Sequence, residues 1–270
     1  MIVRTALADA TARLAAAGVA DPARDARRLL DHHAGRLFPD DAVPDPDGFA
    51  ALVRARGERR PIAQIVGRRA FWRHDFAVTP DVLDPRPETE ALVAAALDRP
   101  WTTVLDLGTG SGCILCSLLA ERDGTEGTGI DLSTDALAVA RRNAAALDVA
   151  GRATFARSDW FDRVTGRFDL IVSNPPYVAR DEMRDLAPEL FHEPRIALTD
   201  EGDGLSAYRV LSARAPAHLT PGGRLMVEVG ASQGRIVADL FDRGGLTGIA
   251  IHPDLDGRDR VVEGRAAATP

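Results

Sequence analysis

The chain has 270 residues, 45% of them hydrophobic and 27% charged, enough apolar material for one large domain or a medium domain plus a small one. A net charge of -7, with every one of the 33 basic residues an Arg, gives no reason to expect the basic face of a nucleic-acid binder. No stretch approaches the roughly 20 apolar residues that span a bilayer, and the two cysteines are too few for a disulfide framework.

In chain order, residues 2–38 show helical spacing twice. Leu7, Ala10, Leu14 and Ala17 share a face that Gly18 ends. Asp21-Pro22 then reads as an N-cap followed by Pro at the first helical position, opening a helix through Leu29 and Leu30 with His32 and His33 at its end as capping residues. A loop over 38–46 leads to a third helix around 49–60. These helices make a small all-α domain over residues 1–70. The periodicity then changes. Residues 71–78 alternate loosely and Thr79-Pro80-Asp81 is a turn signal, so a β-hairpin linker is expected over 71–84. The start of the chain lacks the apolar core of a signal peptide, and a cytoplasmic protein is expected.

Asp84-Pro85-Arg86-Pro87 stays extended and delivers Glu88, Thr89 and Glu90 to the positive end of a helix that runs through Leu97. Strands follow at 104–107, 128–131, 153–156, 170–173 and 224–229. Helices at 112–121, 136–146, 207–218 and 233–243 separate them, and 249–252 with 260–262 form a closing pair. Such alternation specifies a parallel, doubly wound α/β sheet over residues 85–270. Cys113 and Cys116 fall inside the apolar helix at 112–121 and read as small buried residues rather than a redox or metal pair.

Two stretches carry chemistry. Asp106-Leu107-Gly108-Thr109-Gly110-Ser111-Gly112 joins a strand to its helix, where glycines let the backbone turn tightly and approach a ligand. An acid, Asp131, ends the next strand about twenty residues on, where a carboxylate meets ribose hydroxyls. The loop lacks the spacing of a dinucleotide binder and the Lys of a P-loop, which suits a nucleoside without phosphates; a close-packed turn with no ligand is the alternative. The second stretch is Asn174-Pro175-Pro176-Tyr177, at the end of the apolar run Phe168-Asp169-Leu170-Ile171-Val172-Ser173. Paired prolines stiffen the corner and stop the sheet, holding the Asn174 amide at the edge where open α/β sheets bind ligands. A plain strand-to-loop turn is the alternative here.

Together with Asp131 and Ser158-Asp159-Trp160, these stretches resemble the motifs of class I methyltransferases that act on planar nitrogens. More narrowly, Pro61-Ile62-Ala63-Gln64-Ile65-Val66-Gly67, Phe71-Trp72, Pro85-Arg86-Pro87-Glu88-Thr89-Glu90, Glu193-Pro194, Ala197-Leu198 and Asp254-Leu255-Asp256-Gly257-Arg258-Asp259-Arg260-Val261-Val262 resemble the release factor glutamine N5-methyltransferase family. The resemblance runs from about residue 58 to 264. Asp84 departs from it, since the family has an apolar residue there.

The resemblance implies a Rossmann-like domain whose mostly parallel seven-stranded sheet has an antiparallel closing strand, preceded by a helical domain that docks the substrate. It implies S-adenosylmethionine as cofactor, with Gly108, Thr109, Gly110, Ser111 and Gly112 near its methionine part, Asp131 on the ribose, and Asp159 and Trp160 beside the adenine. Thr89 and Glu90 reach over it. Asn174 and Pro175 take the two N–H bonds of the target amide, Pro176 shapes the corner, and Tyr177 packs on the flat amide. The chemistry needs no metal. The implied partner is the Gly-Gly-Gln loop of peptide chain release factors, met by a monomer with no direct nucleic-acid binding. The acid-rich stretch 178–204 is expected to be a mobile wall with solvated charges. Rival readings are a glutamine methyltransferase of a ribosomal protein, an adenine N6-methyltransferase, or a cofactor-binding scaffold without catalysis.

Overall fold

Two Asp-Pro pairs start two of the N-terminal helices. In this computed structural model, which describes residues 1–268, the first unit holds α1 (Val3–Ala16), α2 (Pro22–Ala34), α3 (Pro46–Gly57) and the short α4 (Ile62–Val66). The Asp21 side chain accepts the Arg24 N–H at 3.3 Å, and Asp45 accepts that of Gly48 at 3.0 Å. Helix α3 therefore begins three residues before its expected start, because Asp45-Pro46, placed in a loop above, repeats the Asp21-Pro22 signal.

Leu14, Leu29 and Leu30 are fully buried and pack with Val3, Ala6, Ala10, Phe49 and Val53 as this unit's core. Inside it Arg56 Nε meets Asp25 at 2.7 Å. The unit spans Met1–Arg68 and also takes in Ala187–His192, a piece that contiguous reading over 1–70 does not contain. Glu189 is the anchor of that piece: Arg59 holds its carboxylate through Nε at 2.8 Å and Nη2 at 2.7 Å, and Arg56 Nη2 adds a contact at 3.0 Å. Gln64 Nε2 donates to the His192 carbonyl at 3.1 Å.

The second unit comprises Arg69–Leu186 and the chain from Glu193 onward. Its hairpin is β1 (Arg68–Phe71) and β2 (His74–Ala77), with Trp72 in the left-handed region at the turn, φ 53°. Helix α5 (Glu90–Leu97) follows. The sheet contains β3 (Thr103–Leu107), β4 (Glu126–Asp131), β5 (Ala153–Arg157), β6 (Phe168–Ser173), β7 (Leu219–Glu228), β8 (Thr247–Pro253) and β9 (Asp259–Arg265), in the order β5-β4-β3-β6-β7-β9-β8. Strands β3 to β7 pair in parallel and β9 runs antiparallel between β7 and β8. This is the mostly parallel seven-stranded sheet with an antiparallel closing strand.

Helices α6 (Cys113–Ala120), α7 (Thr134–Ala146), α8 (Ser206–His218) and α9 (Gly234–Arg243) cover both faces. Alternate strand residues feed opposite cores: Leu170 and Val172 join α5 and α6, whereas Ile171 joins α8 and α9. Cys113 and Cys116 are buried in the first of these cores, and burial pushes the Cys113 thiol up to about 12. Such thiols stay protonated and inert.

Candidate active site

The carboxyl ends of β3, β4 and β6 meet at one edge of the sheet. Gly108 and Thr109 turn there by donating both N–H groups to the Ile130 carbonyl, at 2.8 and 2.9 Å. Gly108, Gly110 and Gly112 have φ of 72°, 54° and 76°, a region costly for residues with a Cβ. They divide the labour. A Cβ on Gly112 would stand 3.0 Å from that of Ala140, so this glycine lets α6 pack on α7; at Gly108 a Cβ would meet nothing. Asp131 ties the loop to β4, its Oδ2 accepting Gly110 N–H at 2.9 Å and its Oδ1 accepting Ser133 N–H at 2.9 Å. Burial raises its pKa against those hydrogen bonds.

Beneath the loop Asp106 is 0% exposed. Thr109 Oγ1 donates to its Oδ2 at 2.7 Å, while Oδ1 has no hydrogen-bond partner among the described residues. Burial, the dominant cause, pushes this carboxyl up to about 7.

The loop opens onto a cavity of about 640 Å³. Gly108, Thr109, Gly110, Ser111, Asp131, Asp159, Trp160, Asn174 and Pro176 line it; Gly112, Pro175 and Tyr177 do not. Trp160 takes a left-handed φ of 44° at this wall, a strained conformation of the kind that gathers at functional sites. Thr89 and Asp84 line the cavity too. Glu90 does not reach over it: its Oε1 accepts the Trp72 N–H at 2.8 Å and braces the hairpin turn.

Asn174 leaves β6 just after Ser173, whose hydroxyl donates to the Leu107 carbonyl at 2.7 Å and fixes the strand end to β3. The Asn174 Nδ2 donates to Thr89 Oγ1 at 3.1 Å. That is its one side-chain hydrogen bond among the described residues, so Oδ1 keeps its full acceptor capacity. Tyr177 stands apart, on a second cavity of about 460 Å³ shared with Glu182 and Gln233. Gln233 Nε2 donates to its carbonyl at 2.9 Å. Burial, reinforced by the nearby Glu228 charge, pushes its phenol up to about 12, so it is neutral at physiological pH.

The wall 178–204 carries local structure of its own. Short 3-10 turns at Glu182–Asp185 and Arg195–Ala197 shape it, and Val178 bridges Thr199. Asp181, Glu182, Asp185, Glu201 and Asp203 are exposed, as the solvated face expected there, but Glu193 is buried. The Glu193 side chain is 1% exposed and is held by Arg86 Nη2 at 2.6 and 2.7 Å. The Asp84 N–H lies 3.3 Å from the same carboxylate, so the departure at Asp84 sits against this pair. Asp200 is raised by burial, yet bonds from the Ser206 hydroxyl and the N–H groups of Ser206, Gly202 and Gly204 outweigh that and bring it to about 2. Gly204 has φ 74°, and a Cβ there would lie 2.3 Å from the Tyr177 carbonyl oxygen.

Two site-building residues escaped the sequence reading. Asn143, buried on the Ala-rich α7, donates to the carbonyls of Ser111 at 2.8 Å and Ala77 at 3.1 Å and accepts Ala77 N–H at 2.8 Å, bolting hairpin to glycine loop. Glu228 ends β7 with 1% exposure. A polar residue on an apolar helix face and an acid closing the run Leu225-Met226-Val227 were the available signals.

A nucleoside-sized cavity at the switch edge of a sheet with one antiparallel strand defines a methyltransferase domain. The fold is shared with a methyltransferase from Pyrococcus furiosus, at TM-score 0.56 and 18% identity over 73% of this chain and 91% of that one. The methyltransferase small domain family matches residues 86–206, and the PrmC N-terminal domain matches residues 5–67. The release factor glutamine methyltransferase of Cereibacter sphaeroides is 56% identical over 97% of this chain and 98% of its own. That of Rhodospirillum rubrum is 47% identical over 95% and 82%. The chain belongs to the release factor glutamine methyltransferase family.

Proposed function

We propose that the chain transfers a methyl group from S-adenosylmethionine to the side-chain amide nitrogen, N5, of the glutamine in the Gly-Gly-Gln loop of peptide chain release factors. The observation that carries this reading is the Asn174 amide on the wall of the cavity, its Nδ2 engaged by Thr89 and its Oδ1 uncommitted. The residues present fit the cofactor: a cavity of about 640 Å³, a glycine loop open to close approach at Gly108, and a strand-end carboxylate at Asp131. Gly108, Thr109, Gly110 and Ser111 would hold its methionine part, Asp131 its ribose, and Asp159 and Trp160 its base. When bound it supplies an electrophilic methyl on a sulfonium sulfur.

An amide nitrogen is a poor nucleophile because its lone pair is delocalised into the carbonyl. Asn174 Oδ1 and the Pro175 carbonyl accept the two N–H bonds of the target. They hold the nitrogen in place and draw density from its hydrogens, which favours pyramidalisation. Pro175 and Pro176 keep that pair of acceptors rigid. The neutral Tyr177 ring, directly after the Pro175-Pro176 corner, packs against the flat target amide. The helical unit is the docking platform for the protein substrate, and the negative net charge suits a protein better than a polynucleotide. Among the described residues no helix is long and apolar enough to cross a membrane.

The test offers labelled S-adenosylmethionine with, in separate reactions, a release factor, a mixture of ribosomal proteins and duplex DNA, beside an Asn174→Ala control. One methyl on the Gly-Gly-Gln glutamine, absent with the control, is expected. Label in a ribosomal protein or in DNA instead would overturn the substrate and keep the site.

A further inference from the structure

A side-chain amide has two chemically opposite ends, and Asn174 serves the reaction only if its oxygen faces the target. Something must choose the rotamer. Thr89 is 2% exposed, and its Oγ1 accepts from Asn174 Nδ2 at 3.1 Å. A hydroxyl can also donate, however, and a donating Thr89 would turn the Asn174 oxygen inward. The deciding group is Glu228. Asn174 and Glu228 lie side by side at the carboxyl ends of β6 and β7, one step beyond the Ser173–Val227 pair. The buried Glu228 carboxylate faces the Thr89 hydroxyl, whose influence lowers its pKa against the effect of burial.

We propose that Glu228 and Thr89 are positioning residues for Asn174. Glu228 accepts a hydrogen bond from the Thr89 hydroxyl, the Thr89 oxygen is left to accept from Asn174 Nδ2, and Asn174 Oδ1 is thereby committed to the target amide. The inference rests on the reading of Asn174 given under the proposed function.

Three observations support the relay. Glu228 Oε2 is buried with no hydrogen-bond partner among the described residues, a costly arrangement that packing alone does not require. Its backbone is fixed independently, because the Tyr208 hydroxyl donates to its carbonyl at 2.9 Å and β9 pairs with it on the other side. The carboxyl titrates where the relay can be read: burial pushes it up to about 7, against the lowering effects of the Thr89 hydroxyl, Arg260 on β9 and Arg86 before α5, with Glu88 raising it. Tyr177, Tyr208 and Cys113 also feel its charge and are themselves pushed up by burial, so they stay neutral through that range. Protonated Glu228 is a weaker acceptor and can itself donate to Thr89 Oγ1, which frees the Thr89 hydroxyl to donate to Asn174, and the amide loses its preference.

The test uses the full-length protein with Thr89→Val, Thr89→Ser and Glu228→Gln variants. The side-chain amide resonance of Asn174, assigned by its loss in Asn174→Ala, is followed by NMR against pH. It should titrate near neutrality in the parent protein, and not in Thr89→Val or Glu228→Gln. Steady-state transfer to a release factor should show kcat down about tenfold in Thr89→Val with KM for S-adenosylmethionine little changed, and Thr89→Ser should recover most of the loss. The parent kcat should rise through a step near neutral pH that Glu228→Gln abolishes. An Asn174 resonance that ignores pH, or titrates identically in all variants, overturns the relay. So does an unchanged kcat in Thr89→Val when Asn174→Ala is inactive. An active Asn174→Ala would instead overturn the reading of Asn174 as the amide acceptor.

Discussion

Arg86 Nη2 reaches both oxygens of Glu193, at 2.6 and 2.7 Å, and so pins the wall after Asn174 to the segment that opens α5. Burial raises the Glu193 pKa more than Arg86 lowers it, so the carboxylate depends on its partner. Arg86→Leu should leave it unpaired and destabilise the fold by roughly 2–3 kcal/mol. Arg86→Leu with Glu193→Gln together should recover part of that. A double-mutant cycle by denaturant unfolding measures the coupling, and strict additivity would remove it.

Gly204 has no room for a methyl group. Replacing it with Ala forces a left-handed φ on a residue with a Cβ and drives that carbon into the Tyr177 carbonyl. Because Tyr177 follows Asn-Pro-Pro directly, the corner should shift. Gly204→Ala should lose about tenfold or more in kcat, with binding of S-adenosylmethionine by calorimetry changed far less. Equal loss of both would place the damage in the cavity instead.

Asp106 sets a pH dependence of stability. Its folded pKa of about 7 lies above the ordinary 3.8, so the folded state holds the proton more tightly than the unfolded one. Its contribution is complete below the ordinary value and is lost as pH rises through about 7. Asp106→Asn should flatten the fall in stability between about pH 4 and pH 7, by a few kcal/mol at most. Unfolding midpoints at several pH values test this, and parallel curves for parent and variant would count against it.

The two arginines on Glu189 make truncation a poor way to remove the helical unit. Cutting before residue 70 deletes Arg56 and Arg59 and strands a carboxylate that they hold. The milder Glu189→Ala should lower the melting temperature of the helical unit by a few degrees. It should raise KM for a release factor above any change in kcat if that unit docks the substrate. KM unaffected in a variant whose helical unit has loosened would argue against docking there.

The positions of the strands and the glycine loop were legible because they are written locally: apolar runs, Gly spacing and strand-end acids lie within a few residues of one another. The place of Asn174 at the cavity edge was legible for the same reason, being marked by the prolines beside it. Glu228 was not, since it closes an apolar strand and comes beside Asn174, far away in sequence, only through the pairing of β6 with β7. Asn143 likewise looked like one polar residue on an Ala-rich helix, and its work appears only when Ala77 and Ser111 arrive around it. Glu90 shows the converse error. Its motif suggested the cofactor, but the backbone places it under the Trp72 turn. The early start of α3 was a local signal overlooked.

The discontinuity of the helical unit bears on how the chain is made. Synthesis delivers α1 through α4 first, with Arg56 and Arg59 already in place, yet Glu189 leaves the ribosome more than a hundred residues later. Most domains fold in the order in which they emerge. This one cannot finish so: its helices must wait, partly assembled, while four strands of the sheet are translated, and the last turn of the first domain is laid down only when the second is more than half made.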